Sequence, residues 1–123
     1  VKQQVKSALA TASNLHAAWL YGSVARGEEG PSSDVDVAVV LDEDRLDQDA
    51  EAIRQRLAPT EAELGIRVSL VPIGLEDVRR LSSGDSWWKS LVRDAIPLAG
   101  PEPKSLASRL RREASASTRG SES

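Results

Sequence analysis

The sequence predicts an α/β domain, and three observations carry that expectation. Apolar runs of strand length, rich in β-branched or small residues, occur at Leu15–Tyr21, Val35–Leu41 and Ile66–Ile73. Stretches with helical spacing lie before, between and after them. The first two apolar runs are joined by a polar loop bearing Gly and Pro, so Trp19–Leu41 reads as strand, turn, strand.

In chain order, Val1–Ser13 places Val5, Ala8, Leu9 and Ala12 on one face of a helix. Leu15–Tyr21 is the first strand, with His16 just inside it as a structural or surface residue. Gly22–Gly27 turns and opens a short helix whose first amides can face phosphates. Gly30-Pro31-Ser32-Ser33 is loop by composition. Val35–Leu41 suits a strand covered on both faces. Asp42, Glu43, Asp44, Asp47 and Asp49 form an acidic entry to a helix that reaches about Leu57. Carboxylates are favourable at a helix N-terminus, so a solvated helix start accounts for them without a metal. Pro59 is expected to break or restart that helix, and Gly65 to close it. Ile66–Ile73 is the third strand. Leu75–Leu81 and Asp85–Ala95 are helices, the second capped by Asp85 or Ser86. Trp88, Leu91, Val92 and Ala95 form its apolar face. Trp87, beside Leu91, has two uses open to it, packing or stacking on a base. Ile96–Leu98 is a short strand whose Pro97 suits a sheet edge.

The chemistry concentrates between the first two strands. Side chains two apart on a strand share a face, so Asp34 and Asp36 project together and can hold one or two divalent cations between them. Without a cation the two carboxylates repel. Gly22 lets backbone approach a ligand closely, and Ser23 offers a hydroxyl and an N–H to a phosphate. Arg26 reaches either a phosphate oxygen or an ion pair with Glu28 or Glu29, and the sequence leaves both open. A phosphate cradle facing a carboxylate pair is a nucleotide site.

Gly22-Ser23, ten intervening residues and Asp34-Val35-Asp36 resemble the signature of the polymerase-β-type nucleotidyltransferase superfamily. Ser23-Val24-Ala25-Arg26-Gly27 and Ser33-Asp34-Val35-Asp36 are similar to the minimal nucleotidyltransferases of prokaryotes. The likeness runs more weakly through Ile66–Ile73 and Trp87–Gly100. It implies a small mixed sheet with helices packed mainly on one face. It further implies transfer of a nucleotidyl group from an NTP, ATP first among them, to an acceptor hydroxyl, with release of pyrophosphate. Asp34 and Asp36 would be the catalytic, metal-holding pair, and Gly22, Ser23 and Arg26 the nucleotide-binding set. Mg²⁺ is the implied ion, since it takes oxygen ligands and shares them with phosphates. The family usually supplies a third carboxylate from the third strand, and here Ser69 stands at that place. Glu76 or Asp77, from the following helix, is the alternative source of that carboxylate.

The bounds on the chain fit this picture. Its 123 residues make one domain, expected as a nucleotidyltransferase unit over 1–100 and a basic tail over 101–123. The tail holds five basic residues against three acids, in a chain of net charge −3. Leu106 and Leu110 seat a short helix over Lys104–Ala114, and the Ser-rich end is expected to be disordered. With no cysteine there is no disulfide or thiolate metal site. No apolar run approaches a membrane span, so the expectation is a soluble, cytoplasmic protein. The acidic balance argues against a surface that coats nucleic acid.

Two further classes follow from the resemblance. One is a catalytically weakened, antitoxin-like or regulatory partner of a small helical toxin, because minimal nucleotidyltransferases are often paired with such a toxin and some modify it. The other is a module detached from a longer DNA-binding regulator, motivated by Val1 standing where Met would and by the absence of Met throughout. The acceptor, whether protein, RNA or small molecule, is not written in the sequence.

Overall fold

The computed structural model describes residues 2–10, 12, 14–22 and 34–122. Its four strands are β1 (Ala17–Tyr21), β2 (Val35–Leu41), β3 (Val68–Gly74) and β4 (Ile96–Ala99), in the order β3-β2-β1-β4. β1 runs antiparallel to both β2 and β4, whereas β2 and β3 are parallel. The sheet is therefore mixed, as expected. Five helices accompany it among the described residues: α1 (Lys2–Leu9), α2 (Leu46–Leu64), α3 (Leu75–Leu81), α4 (Ser86–Asp94) and α5 (Pro103–Glu122). A 3-10 turn, Glu43–Arg45, leads into α2.

The helices divide between both faces of the sheet rather than packing mainly on one. Alternate residues of the central strands feed two cores. Ala18, Leu20, Val37, Val39 and Leu41 meet Val5 and Leu9 of α1 and Ala50, Ile53 and Leu57 of α2. Their neighbours Ala17, Trp19, Ala38 and Val40 meet Val78 of α3, Trp88 and Leu91 of α4, and Leu106, Ala107 and Leu110 of α5. The uniformly apolar sequence of β2 is the cause, since both of its faces need covering. Trp19 is fully buried, stands edge-on to Trp88 with ring centroids 5.6 Å apart, and donates its indole N–H to the Pro101 carbonyl at 2.8 Å.

Pro59 does not break α2, which runs unbroken from Leu46 to Leu64. Pro59 is exposed, so water can satisfy the carbonyl that its missing N–H leaves open, while buried Ile53 and Leu57 hold the preceding turns. Gly65 closes the helix with φ 66°, donating its N–H to the Glu61 carbonyl. Asp85 caps α4 by accepting from the Trp87 and Trp88 amides at 2.9 and 3.3 Å. Pro97 lies on edge strand β4, where a missing donor costs no ladder bond.

Two acids of the stretch after β2 take structural partners. Asp42 pairs with His16 at 2.7 Å, and the Glu43 carboxylate accepts the Glu76 amide at the start of α3. Asp77 takes the Gly74 N–H at 3.0 Å and the Arg80 guanidinium at 2.7 Å, and these bonds hold its carboxyl below the usual carboxylate range.

α5 extends to Glu122, past the helix end expected near Ala114, and nothing in its Ala-, Ser- and Arg-rich sequence before Gly120 opposes a helix. The expected boundary at Gly100 passes through the second core, because Leu106 is fully buried and Ala107 and Leu110 nearly so. Leu106→Ala is accordingly expected to cost ~2–5 kcal/mol, read as a fall in the urea midpoint. Ser108→Ala, on the exposed side of the same helix, should change stability by under about 0.5 kcal/mol. Equal effects of the two changes would show that α5 does not pack as described.

Candidate functional site

The strand ends place the sequence-predicted residues that fall within the described structure at one end of the central strands. β1 finishes at Tyr21 opposite Asp36 of β2, and Asp36 in turn stands opposite Ser69 of β3. Gly22 follows directly with φ +79°, a backbone state that side chains disfavour. A Cβ there would run into the Asp36 carboxylate, with Cγ 3.2 Å away. Gly22 thus serves both the turn and the room for Asp36. Asp34, immediately before β2, is exposed, while Asp36 is half-buried. Period-two alternation puts both on the face that carries Ala38 and Val40. Ser23 and Arg26 lie outside the described residues.

Ser69 is the strand neighbour of Asp36, where a third carboxylate would have to stand. Glu76 and Asp77 do not replace it. Gly74 pairs with Leu41 at the far end of the β2–β3 ladder, and five residues of strand put that end ~16 Å from Ser69. Both acids are engaged there, Glu76 with Arg79 and Asp77 with Arg80.

Beside the carboxylate edge lies a cavity of ≈ 250 Å³, lined by Tyr21, Gly22, Trp87, Ser90, Leu91 and Asp94. The adjacent tryptophans of α4 take different roles. Trp88 enters the second core, while Trp87 stays half-buried, edge-on to Tyr21 with ring centroids 5.6 Å apart, and walls this cavity. Sequence reasoning missed Asp94, the acid that lines it. Its signal was a carboxylate in the last turn of a helix, where the macrodipole disfavours negative charge. Arg93 offsets this through contacts of 3.1 Å.

A divalent cation fits the donor set at the edge under one condition. Asp34 and Asp36 supply hard oxygen ligands from one face, and no thiolate competes in the chain. Among the described residues no group of three His, Cys, Asp or Glu side chains could hold a metal. The pair therefore suits an ion that takes its remaining ligands from substrate phosphates and water, as Mg²⁺ commonly does.

The field of Asp36 is felt by Tyr21. Burial, and after it the Asp36 carboxylate, pushes the phenol above its ordinary value of 10.0. The folded state then holds this proton more tightly than the unfolded state does. The resulting stabilisation is intact below about pH 10 and is lost as pH rises through the raised value. Tyr21 is the only tyrosine, so phenolate absorbance reports on it alone. In metal-free protein the titration should fall above 10 and move partway back in Asp36→Asn, the burial part remaining. An unshifted titration in wild type would contradict the described edge.

A family model described as "Polymerase beta, Nucleotidyltransferase" matches residues 3–79. Curated proteins give no match to the chain. Among solved structures, the fold is similar to a chain of a toxin–antitoxin structure with AMP-PNP, at TM-score 0.56 and 19% identity, covering 97% of this chain and 93% of that one. A mutant of the toxin–antitoxin pair MntA–HpeT with two Asp-to-Glu changes aligns at 0.56 and 17%, covering 98% and 94%. A Tyr-to-Ala mutant of that pair aligns at 0.52 and 19%, covering 100% and 98%. At these identities the likeness is one of fold.

Proposed function

The chain belongs to the polymerase beta nucleotidyltransferase family, and from that premise we propose that it binds a Mg²⁺–NTP, ATP foremost, at the Gly22–Asp36 edge and moves its nucleotidyl group to an acceptor hydroxyl only slowly. The observation that carries this reading is the register that sets Asp36 between the Gly22 turn and Ser69. Asp34 and Asp36 hold the ion, and Gly22 lets the triphosphate approach the backbone. Ser23 and Arg26 contribute phosphate donors. The ion supplies charge neutralisation on the phosphates.

In the transfer, the acceptor oxygen bonds to the α-phosphorus, the bond to pyrophosphate breaks and the hydroxyl proton leaves. Ser69 is neutral at physiological pH and cannot take that proton as a carboxylate would. Positioning and charge neutralisation remain available from the rest of the edge, so binding survives while the rate falls. The cavity walled by Tyr21, Trp87 and Asp94 is the adjoining space for a base or an acceptor side chain.

The acceptor reading best supported is a partner protein of the toxin class. The structures of similar fold come from toxin–antitoxin pairs, one of them with AMP-PNP, and Ser69 suits a partner that binds more than it turns over. An RNA acceptor and a detached regulator module have no observation of their own here.

Two variants test the proposal separately. Asp34→Asn with Asp36→Asn should abolish Mg²⁺-dependent NTP binding in calorimetry with the fold retained. Unchanged affinity would overturn the site. Ser69→Asp should raise nucleotidyl transfer by about 10²–10⁴ in the presence of acceptor, followed with labelled NTP and cell lysate. Fast transfer by wild type, unaffected by that change, would instead remove Ser69 as the limiting group.

A further inference from the structure

Away from the carboxylate edge, α4 and α5 enclose a second cleft of ≈ 320 Å³ whose lining mixes apolar floor and cationic rim. Trp88, Val92 and Ala107 form the floor, and Lys89, Lys104 and Arg111 stand around it. Val92, 42% exposed, is the large hydrophobic side chain left open to solvent among the described residues. Neighbouring surface arginines are matched to acids, Arg79 with Glu76, Arg80 with Asp77, Arg93 with Asp94 and Arg109 with Glu113. The three cations of the cleft take part in no ion pair among the described residues. Lys104 moreover lies in the first turn of α5, which holds no acid, and a cation there opposes the helix macrodipole. The protein thus carries a concentrated positive rim around the exposed Val92, on a chain of net negative charge.

We propose that this cleft docks an acidic amphipathic helix of a partner protein, its apolar face on Val92 and its carboxylates on Lys89, Lys104 and Arg111. On α5, Lys104, Ala107 and Arg111 recur at i, i+3 and i+7. On α4, Lys89 and Val92 are three apart. Both helices therefore present continuous ridges, which a third helix can enter. Charge complementarity selects an acidic segment over a basic one. A single-stranded nucleic acid fits the same cations less well. Trp88 is only 4% exposed and has no ring face to offer a base. The inference stands independently of the nucleotide site, because none of its residues lines that edge.

The test uses the full chain and two synthetic helical peptides with the same leucine face, one flanked by Glu and one by Lys. The Glu peptide should bind wild type, with NMR amide shifts confined to α4 and α5, and the Lys peptide should not. Charge reversal by Lys89→Glu with Arg111→Glu should weaken the Glu peptide by at least roughly tenfold and admit the Lys peptide, while circular dichroism and NTP binding stay unchanged. Val92→Ser should weaken whichever peptide binds. Absence of Glu-peptide binding, equal binding of both peptides, or indifference to charge reversal would overturn the proposal. So would tighter binding by a single-stranded RNA oligonucleotide with the same loss on charge reversal, which would make the cleft a phosphate surface.

Discussion

A carboxylate held at the end of an otherwise apolar central strand is the constraint from which the rest of this fold follows. β2 is covered on both faces from Val37 to Leu41, and Asp36 remains only half-buried because the chain opens at that end. Desolvating a charge fully would cost several kcal/mol. Burial on the Asp36 face must therefore end at Asp36, while Val35, on the opposite face, stays in the core. Gly22 is part of the same solution, since any side chain at its Cβ would occupy the space of the Asp36 carboxylate. The turn, the carboxylate and the raised phenol of Tyr21 are one arrangement seen from three residues.

Features set by local spacing were legible in the sequence. The continuous apolar run Val35–Leu41 located β2, and the carboxylates at its start marked the candidate site. Pro97 identified an edge strand, and Asp85 a helix cap. Features set by what comes into contact were not. Nothing local says that the exposed side of α2 tolerates Pro59, or that Leu106 and Leu110 complete a second core rather than a peripheral helix. Trp87 and Trp88 are adjacent and chemically alike. Their separation, one to the cavity and one to the core, depends on Tyr21 and Trp19 lying on the same face of β1 two residues apart. Glu43 looked like a solvated acid in an acidic run, and only the crossover from β2 through α2 to β3 brings it against the first amides of α3.

The two-faced sheet also sorts the molecule by role. One face, covered by α1 and α2, has an apolar core with no part in the site. The other carries Asp36, Tyr21 and Trp87 at one end and the α4–α5 cleft beyond the helix layer. Because α4 lines both the cavity and the cleft, through residues on different sides of one short helix, its placement governs both. The α4 cap at Asp85 and the packing of Leu106 beneath it are therefore linked to site geometry as well as to stability.

Ser69 gives this edge a different electrostatic balance from a three-carboxylate one. A carboxylate beside Asp36 in the parallel ladder would lie ~5 Å away, and two like charges at that distance repel by about 1–3 kcal/mol between aqueous and near-surface dielectric conditions. That penalty falls on the metal-free protein and is relieved by cations. A third acid thus trades apo stability for tighter ion binding and a base for the attacking hydroxyl. Ser69 removes the penalty together with the base. With two acids, a cation held there under the proposed function would depend on the incoming phosphates to complete its ligand shell. On the proposed function, such an edge would discriminate by what the nucleotide brings, and ion and triphosphate would be coupled in binding, each raising the affinity of the other by the same factor.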